Sequence, residues 1–115
     1  MKRCYSLKRN KQFRYVYRRG KSVASHQLVM LYAGNRAGMV HVGFSVSKKL
    51  GNSVQRNRVK RRLREAFRPL IPELQPGYDI IFIARDAAKT AEFLTLCSTM
   101  RYLAHKAGLF VKKTR

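Results

Sequence analysis

The stretch from Lys48 to Arg68 (KKLGNSVQRNRVKRRLREAFR) restricts the fold more than any other part of the chain. From Ser53 onward it contains no Gly or Pro until Pro69, and its Arg, Lys, Leu, Glu and Ala residues all favour helix. Asn52 or Ser53 can cap the start, because either side chain can accept a hydrogen bond from the first free N–H groups. Pro69 predicts the end, since a proline inside a helix removes a hydrogen bond. The stretch therefore predicts one long helix.

This predicted helix has an apolar side and a cationic side. At 3.6 residues per turn the apolar stripe consists of Val59, Leu63, Ala66, Phe67 and Leu70. Ten residues lie on the cationic side, on its flanks or just before the helix: Lys48, Lys49, Arg56, Asn57, Arg58, Lys60, Arg61, Arg62, Arg64 and Arg68. Glu65 is the only acid among them, whereas a merely solvated charged face normally has interspersed acids. Because guanidinium groups match phosphate oxygens, the pattern predicts a surface that binds a polyanion.

The overall charge favours the same kind of partner. The 115 residues include 26 Lys and Arg against five Asp and Glu, a net charge of +21, while 45% of the residues are hydrophobic. A chain of this composition is expected to fold as a single domain, residues 1–115, and to need a partner of opposite charge. Nucleic acid is the leading candidate and a membrane surface the weaker one. No apolar run suits a membrane span or a signal peptide, so the expected compartment is the cytoplasm.

The rest of the chain reads as a mixture of strands and helices. Residues 1–9 are basic and unpatterned and are expected to form a flexible arm, and a short helix is expected from Asn10 to Gly20. Residues 22–32 and 40–46 have strand patterns, and the Gly-rich turn at 34–38 predicts a hairpin between them. Residues 78–84 form a continuous apolar run, typical of a strand buried on both faces and paired in parallel. A last helix is expected between Thr90 and Gly108.

These elements predict an α/β (α+β) fold, a two-layer sandwich with a mixed sheet of about four strands covered by helices. Two features suggest a site on the sheet. In the strand at 40–46, one face carries only small or polar residues, including Gly43 and Ser45. Phe13 and Tyr17 lie one turn apart on the first helix, where they can be either core residues or a platform on which unpaired bases stack.

No catalytic or metal-binding constellation is evident. The five acids are scattered, so no cluster of carboxylates is predicted to hold Mg²⁺. A metal-free nuclease would need paired acid and base groups, for which His26 and His41 on neighbouring strands are the candidates. The residues favour a protein that binds and performs no chemistry with its own side chains.

The segment SVSKKLGNSVQRNRVKRRLREAF closely resembles the bacterial ribonuclease P protein subunit family. The family's hallmarks are the Arg-Asn-Arg helix, here Arg56-Asn57-Arg58, and a preceding strand of the form GxSVSKK, here residues 43–49. The resemblance extends from LKRNKQFRYVYRRGKSVA through DIIFIAR to the basic C-terminus, which is nearly the whole chain.

The resemblance implies a fold similar to a ribosomal-protein domain, with a left-handed β–α–β crossover around the basic helix, against the usual hand. It also implies a holoenzyme in which a large RNA, with Mg²⁺ that the RNA itself holds, removes the 5′ leader of precursor tRNA. The protein would assist this endonuclease by binding the catalytic RNA and the single-stranded leader. An oligomer is possible but not implied.

By position, the resemblance assigns two sets of residues. The set facing the catalytic RNA is Lys48, Lys49, Arg56, Asn57, Arg58, Lys60, Arg61, Arg64 and Arg68. The set lining the leader cleft is Phe13, Tyr17, Val29, Leu31 and Ser45. Related sequences often have tyrosine where Leu31 stands, whereas here Tyr32 is its neighbour and is expected to point to the opposite face.

Two other functions fit the same charge and fold. A structural ribosomal or RNA chaperone protein would bind RNA without favouring precursor tRNA. A self-sufficient nuclease would cleave RNA alone and would lose that activity on replacement of His26 or His41.

Overall fold

The structure is a computed structural model, and it describes residues 4–7 and 10–111. Five strands and four helices are present in the described residues. In chain order they are β1 (Cys4–Ser6), α1 (Asn10–Arg19), β2 (Lys21–Ala24), β3 (Leu28–Gly34), β4 (Val40–Ser45), α2 (Ser53–Phe67), β5 (Tyr78–Ala84), α3 (Asp86–Thr90) and α4 (Phe93–Lys106). Two 3₁₀ turns flank α2, at Lys48–Leu50 and Arg68–Glu73.

The strands form one mixed sheet in the order β1-β4-β5-β3-β2. β5 lies in the centre, parallel to β4 and antiparallel to β3. Four of its seven residues in succession, 79–82, are buried, which accounts for its continuous apolar sequence. The predicted mixed sheet, and the buried parallel strand within it, are confirmed.

The predicted hairpin at residues 34–38 is wrong, because β5 lies between β3 and β4. The loop after β3 crosses the end of β5, where the Asn35 N–H donates to the Gly77 carbonyl at 2.7 Å. The hairpin is formed instead by β2 and β3, which divide the single strand predicted at 22–32. Ser25 closes that turn: its backbone N–H donates to the Leu28 carbonyl at 2.8 Å, and its Oγ accepts from the Leu28 N–H at 3.1 Å.

Residues 4–7 also differ from the expected flexible arm. β1 pairs in parallel with β4, so it covers an edge that would otherwise leave backbone groups unpaired. Leu7 is buried and donates its N–H to the Val42 carbonyl at 3.0 Å. Residues 1–3 and 8–9, the rest of the predicted arm, lie outside the described residues.

The two faces of the sheet are covered differently. Alternate residues of β3, β4 and β5, among them Met30, Val42 and Phe82, pack with α2 and α4 into the main core. The residues between them face α1, where Ile81 and Val16 form a smaller cluster. α2 connects the parallel strands β4 and β5, so it forms a β–α–β crossover. The left-handedness of this crossover remains a prediction. No helix in the described residues is long and apolar enough to cross a membrane.

Candidate nucleic-acid interface

The start of α2 is fixed by a reciprocal pair of hydrogen bonds. The Gln55 N–H donates to Asn52 Oδ1 and the Asn52 N–H donates to Gln55 Oε1, both at 2.9 Å. This capping box satisfies two donors that a helix start leaves free, and it identifies Asn52 as the cap. The helix therefore begins at a defined residue, which sets the direction in which each of its cations points.

Burial divides α2 into the two sides that its sequence predicts. Val59, Leu63 and Phe67 are at most 3% exposed and face the main core. Most of the predicted RNA-facing set is exposed: Lys48, Lys49, Asn57, Arg58, Arg61, Arg64 and Arg68. Arg56 and Lys60 are half-buried at the border of this side. We call this set of residues, including Arg56 and Lys60, the basic face.

Few acids neutralise the basic face. Arg68 Nη2 lies 3.1 Å from Glu65 Oε1, with both side chains about half exposed, an arrangement that contributes little stability. Two other acids of the described chain have partners elsewhere: Glu73 forms an ion pair with Arg101, and Asp79 Oδ1 lies 2.8 Å from His41 Nδ1. Arg61 and Arg64 form no ion pair with any described acid. Their positive charge is thus available to an external anion.

Two arginines of α2 have more specific surroundings. Arg62 Nη2 donates to the Ala91 carbonyl at 2.6 Å, so this side chain ties α2 to the segment between α3 and α4. Arg56 Nη2 lies 3.4 Å from Ser53 Oγ, while its Nε is buried with no hydrogen-bond partner among the described residues. A buried donor without a partner is costly. Arg56 therefore has an unused hydrogen-bond donor at the start of the basic face.

The face of the sheet that α1 covers carries the predicted leader residues. In the strand register, Val29 pairs with Ile83 and Ile83 with Ser45, so these three side chains form one row across β3, β5 and β4. All three are half-buried, whereas the main core on the other face is closed. We call the row of Val29, Ile83 and Ser45 the open row. Leu31 lies on the same face, in the adjacent row with Ile81 and Gly43.

Phe13 and Tyr17 have different environments although they lie one turn apart. Phe13 is half-buried against the smaller cluster, and Tyr17 is 51% exposed. The Phe13 ring lies directly over Gly43: a Cβ at that glycine would be 2.7 Å from Phe13 Cζ. Phe13 is therefore mainly a packing residue whose position depends on Gly43, and Tyr17 is the more accessible aromatic ring.

Sequence reasoning missed two residues of this face. Ile83 belongs to the open row, but a strand that is apolar throughout gives no signal of which residues face which side. The sequence identifies Gly43 only as a small residue, and its contact with Phe13 depends on the packing of α1. Tyr32 packs against the main core on the opposite face from Leu31, as predicted.

The two histidines considered for a nuclease do not form a pair. His41 begins the pairing of β4 with β5, next to Asp79, whereas His26 lies in the turn before β3, at the other end of the sheet. His26 lies beyond Leu28, which pairs with Ala84; at about 3.3 Å per strand residue, the five positions from Asp79 to Ala84 alone span roughly 17 Å. His41 Nδ1 lies 2.8 Å from Asp79 Oδ1, to which Asn35 Nδ2 also donates at 2.7 Å. In the described part of the chain, no group of three or more His, Cys, Asp or Glu residues could hold a metal ion.

Comparisons with known proteins identify relatives of this chain over most of its length. The family model of ribonuclease P matches residues 1–108. The ribonuclease P protein component of Thermoanaerobacter sp. (strain X514) is 49% identical over 104 residues, which cover 90% of each chain. That of Caldanaerobacter subterraneus subsp. tengcongensis is 45% identical over 109 residues, covering 95% of this chain and 94% of the relative.

Solved structures show the same fold. The RNase P protein of Staphylococcus aureus superposes with a TM-score of 0.85 at 37% identity, over 93% of this chain and 98% of that one. The RNase P protein of Thermotoga maritima gives a TM-score of 0.80 at 25% identity, over 94% of this chain and 98% of that one. The matches in sequence and in structure both span nearly the whole molecule, and we conclude that the chain belongs to the ribonuclease P protein family.

Proposed function

We propose that this protein binds the catalytic RNA of ribonuclease P through the basic face and the 5′ leader of precursor tRNA along the open row. The observation that carries the proposal is the exposure of the cations of the basic face, of which only Arg68 forms an ion pair with an acid in the described part of the chain. Asn57, Arg61 and Arg64 all point away from the core. An array of this kind, held by a capped helix, suits the regular phosphates of a folded RNA.

The open row supports the second half of the proposal. It offers a shallow, half-buried strip of apolar and hydroxyl groups, with Tyr17 exposed on the helix that covers the same face. Unpaired RNA is recognised on such surfaces, because its bases can lie against apolar side chains and stack on aromatic rings. Phe13 would support the strip through its contact with Gly43.

The catalytic groups in this proposal belong to the RNA. Mg²⁺ held by the RNA would supply the hydrolytic chemistry, and the protein would hold the leader in place and favour precursor over mature tRNA. The compartment in which it acts, the cytoplasm, is an expectation that accompanies this role.

The dependence of RNA affinity on salt tests the basic face. If about six cations contact phosphates, the logarithm of the affinity for the catalytic RNA should fall with that of the salt concentration at a slope of roughly −4 to −5. Arg64→Ala should reduce the slope by about one. Arg101→Ala is the matched control, an exposed arginine on α4 that pairs with Glu73, and it should leave the slope unchanged. Equal slopes for the wild type and Arg64→Ala would show that Arg64 does not contact the phosphates of the catalytic RNA.

A second measurement separates this role from that of a structural RNA-binding protein. The holoenzyme is reconstituted at low Mg²⁺, and the affinities for precursor and mature tRNA are compared with and without the protein. The proposal expects the protein to raise affinity for precursor alone and to increase cleavage. Equal affinity for both tRNAs, with no gain in cleavage, would favour the RNA chaperone.

A further inference from the structure

A second aromatic and cationic surface lies on α1, away from the side that faces the sheet. Lys11, Arg14, Tyr15 and Arg18 follow the i, i+3, i+4, i+7 spacing of a single helix stripe. All four are exposed, and Arg19 lies beside them. Phe13 and Val16 occupy the other stripe, against the sheet. The exposed stripe is therefore separate from the open row and from α2.

No acid balances this stripe. α1 contains no Asp or Glu, and none of its cations pairs with a described carboxylate. The ion pairs formed by Glu65, Glu73 and Asp79 involve other residues. A solvated helix face commonly alternates charges of both signs, and this one carries only positive charge.

The stripe leads into a pocket of about 360 Å³ at one end of the sheet. Three tyrosines from distant segments line it: Tyr15 of α1, Tyr32 of β3 and Tyr78 of β5. Arg19 and Lys21 also line the pocket, and the remaining lining comes from residues 33–34 and Ala107. A neighbouring depression of about 340 Å³ shares Tyr15 and Arg19 and continues along Lys11, Arg14 and Arg18. The two depressions thus form one path from a row of cations to a group of aromatic rings.

This combination matches the chemistry of an unpaired nucleotide. Aromatic faces stack on bases whatever their identity, and adjacent Arg and Lys side chains bind the phosphates that precede them. The pocket has a size typical of small-ligand sites, about 300–1,000 Å³. By contrast, the pocket of about 380 Å³ has no charged residue in its lining, which consists of Gly38, Met39, Val40, Ile71, Pro72, Leu74 and Pro76.

We propose that Tyr15, Tyr32 and Tyr78, together with Arg19 and Lys21, form a second site for single-stranded RNA, in which a base stacks among the tyrosines. This proposal extends the RNA-binding role proposed above to a different surface. It also gives a role to Tyr32, which points away from the open row. The base can come from a distal part of the leader or from an unpaired segment of the catalytic RNA, and the chemistry of recognition is the same.

Binding of a labelled oligouridylate of about ten nucleotides to the full chain, without the catalytic RNA, tests the site directly. Tyr15→Leu should weaken this binding about tenfold, and Arg19→Gln should reduce the salt slope by about one. Tyr102→Leu is the matched control, because Tyr102 is 54% exposed and Tyr15 is 52% exposed. Tyr102 also lies near a cation, since Lys106 Nζ is 5.8 Å from the centroid of its ring. Thermal unfolding of each variant verifies the fold, which replacement of these exposed tyrosines should leave intact.

Equal affinities of Tyr15→Leu and Tyr102→Leu for the oligonucleotide would overturn the proposal. This result is independent of the Arg64→Ala experiment, because one uses a short oligonucleotide and the other the catalytic RNA. Two further comparisons identify the source of the base. If Tyr15→Leu weakens the affinity of the holoenzyme for precursor tRNA more as the leader is lengthened, the bound base belongs to the leader. If Tyr15→Leu weakens binding of the protein to the catalytic RNA in the absence of precursor tRNA, the bound base belongs to the catalytic RNA.

Discussion

The two faces of the central sheet carry adjacent residues in very different environments. Phe82 is fully buried on one face, stacked on Phe44 with ring centroids 6.0 Å apart and edge-on to Phe67 at 5.5 Å. Ile83, the next residue, is half-buried in the open row on the other face. α2 and α4 close the first face, whereas the single helix α1 covers only part of the second. Stability therefore comes mainly from the closed face, which leaves the other face free to present a binding surface.

The largest effect that tests this division is on stability. Phe82→Ala should lower the free energy of unfolding by about 3–5 kcal/mol, because it removes a ring at the centre of three packed aromatics. Ile83→Ala is the matched change on the other face and should cost less than about 2 kcal/mol, since the side chain is already partly in water. Urea denaturation measures both. Equal costs would mean that the two faces contribute equally.

A buried polar cluster closes one end of the α1 face. Asp79 is 7% exposed, and its Oδ1 lies within 2.8 Å of both His41 Nδ1 and Asn35 Nδ2. Asp79→Ala should destabilise the fold by roughly 1–3 kcal/mol, because it removes an acceptor from the half-buried His41 and Asn35 side chains. Chemical denaturation near neutral pH provides the value.

Glu73→Ala is the control for Asp79, since Glu73 also belongs to an ion pair but is half exposed. The hydrogen bond that Arg101 donates to Glu73 raises the pKa of the Arg101 guanidinium above the ordinary value, and the negative charge of Glu73 acts in the same direction. Solvent screens an exposed pair, so the expected loss is at most about 1 kcal/mol. A loss as large as that of Asp79→Ala would show that burial does not set the cost.

The contact of Phe13 with Gly43 links packing to the proposed leader site. Gly43→Ala should displace the Phe13 ring, because the new Cβ would approach it to 2.7 Å, and should cost about 1 kcal/mol. The holoenzyme's affinity for precursor tRNA should fall as well. Gly34→Ala is the control for the cost in stability, since its Cβ would meet nothing closer than 3.9 Å. Unchanged precursor affinity in Gly43→Ala would separate Phe13 from leader binding.

The smallest effect on stability is expected in the open row itself. Ser45→Asp should change the free energy of unfolding by no more than about 0.5 kcal/mol, because the side chain is half in solvent. It should nevertheless weaken precursor tRNA binding several-fold, because it places a carboxylate beside leader phosphates. Affinity for mature tRNA, which has no leader, is the internal control. An equal loss for both tRNAs would place the leader elsewhere.

Local patterns predicted α2 well and the sheet less well, for physical reasons. The capped start and apolar stripe of α2 depend on residues within a few positions of one another, so the sequence displays them directly. The order of the strands depends on β5, which enters between β3 and β4 after more than thirty intervening residues, and no local pattern encodes that insertion. β1 has only three residues and no alternation, and its pairing follows from the edge that β4 offers.

The same distinction applies to the sites. The basic face lies on α2 and the two 3₁₀ turns that flank it, so it could be predicted from spacing and charge, apart from the hydrogen bond of Arg62 to Ala91. The open row and the tyrosine pocket each combine residues from three segments. Tyr15, Tyr32 and Tyr78 show no relation in sequence. Tyr32 and Tyr78 come together because β3 and β5 are neighbours, and Tyr15 joins them because α1 ends beside this edge of the sheet.

The central position of β5 has a consequence for synthesis on the ribosome. The strand that joins the two halves of the sheet, β2-β3 and β1-β4, is also the last strand to be made. Until residue 84 emerges, each half has an open edge and no common core, and long-range pairing of this kind slows folding. During the time before β5 is synthesised, the nascent chain already contains α2 with its many positive charges. Electrostatic repulsion between nascent chains would therefore oppose aggregation before the sheet is complete.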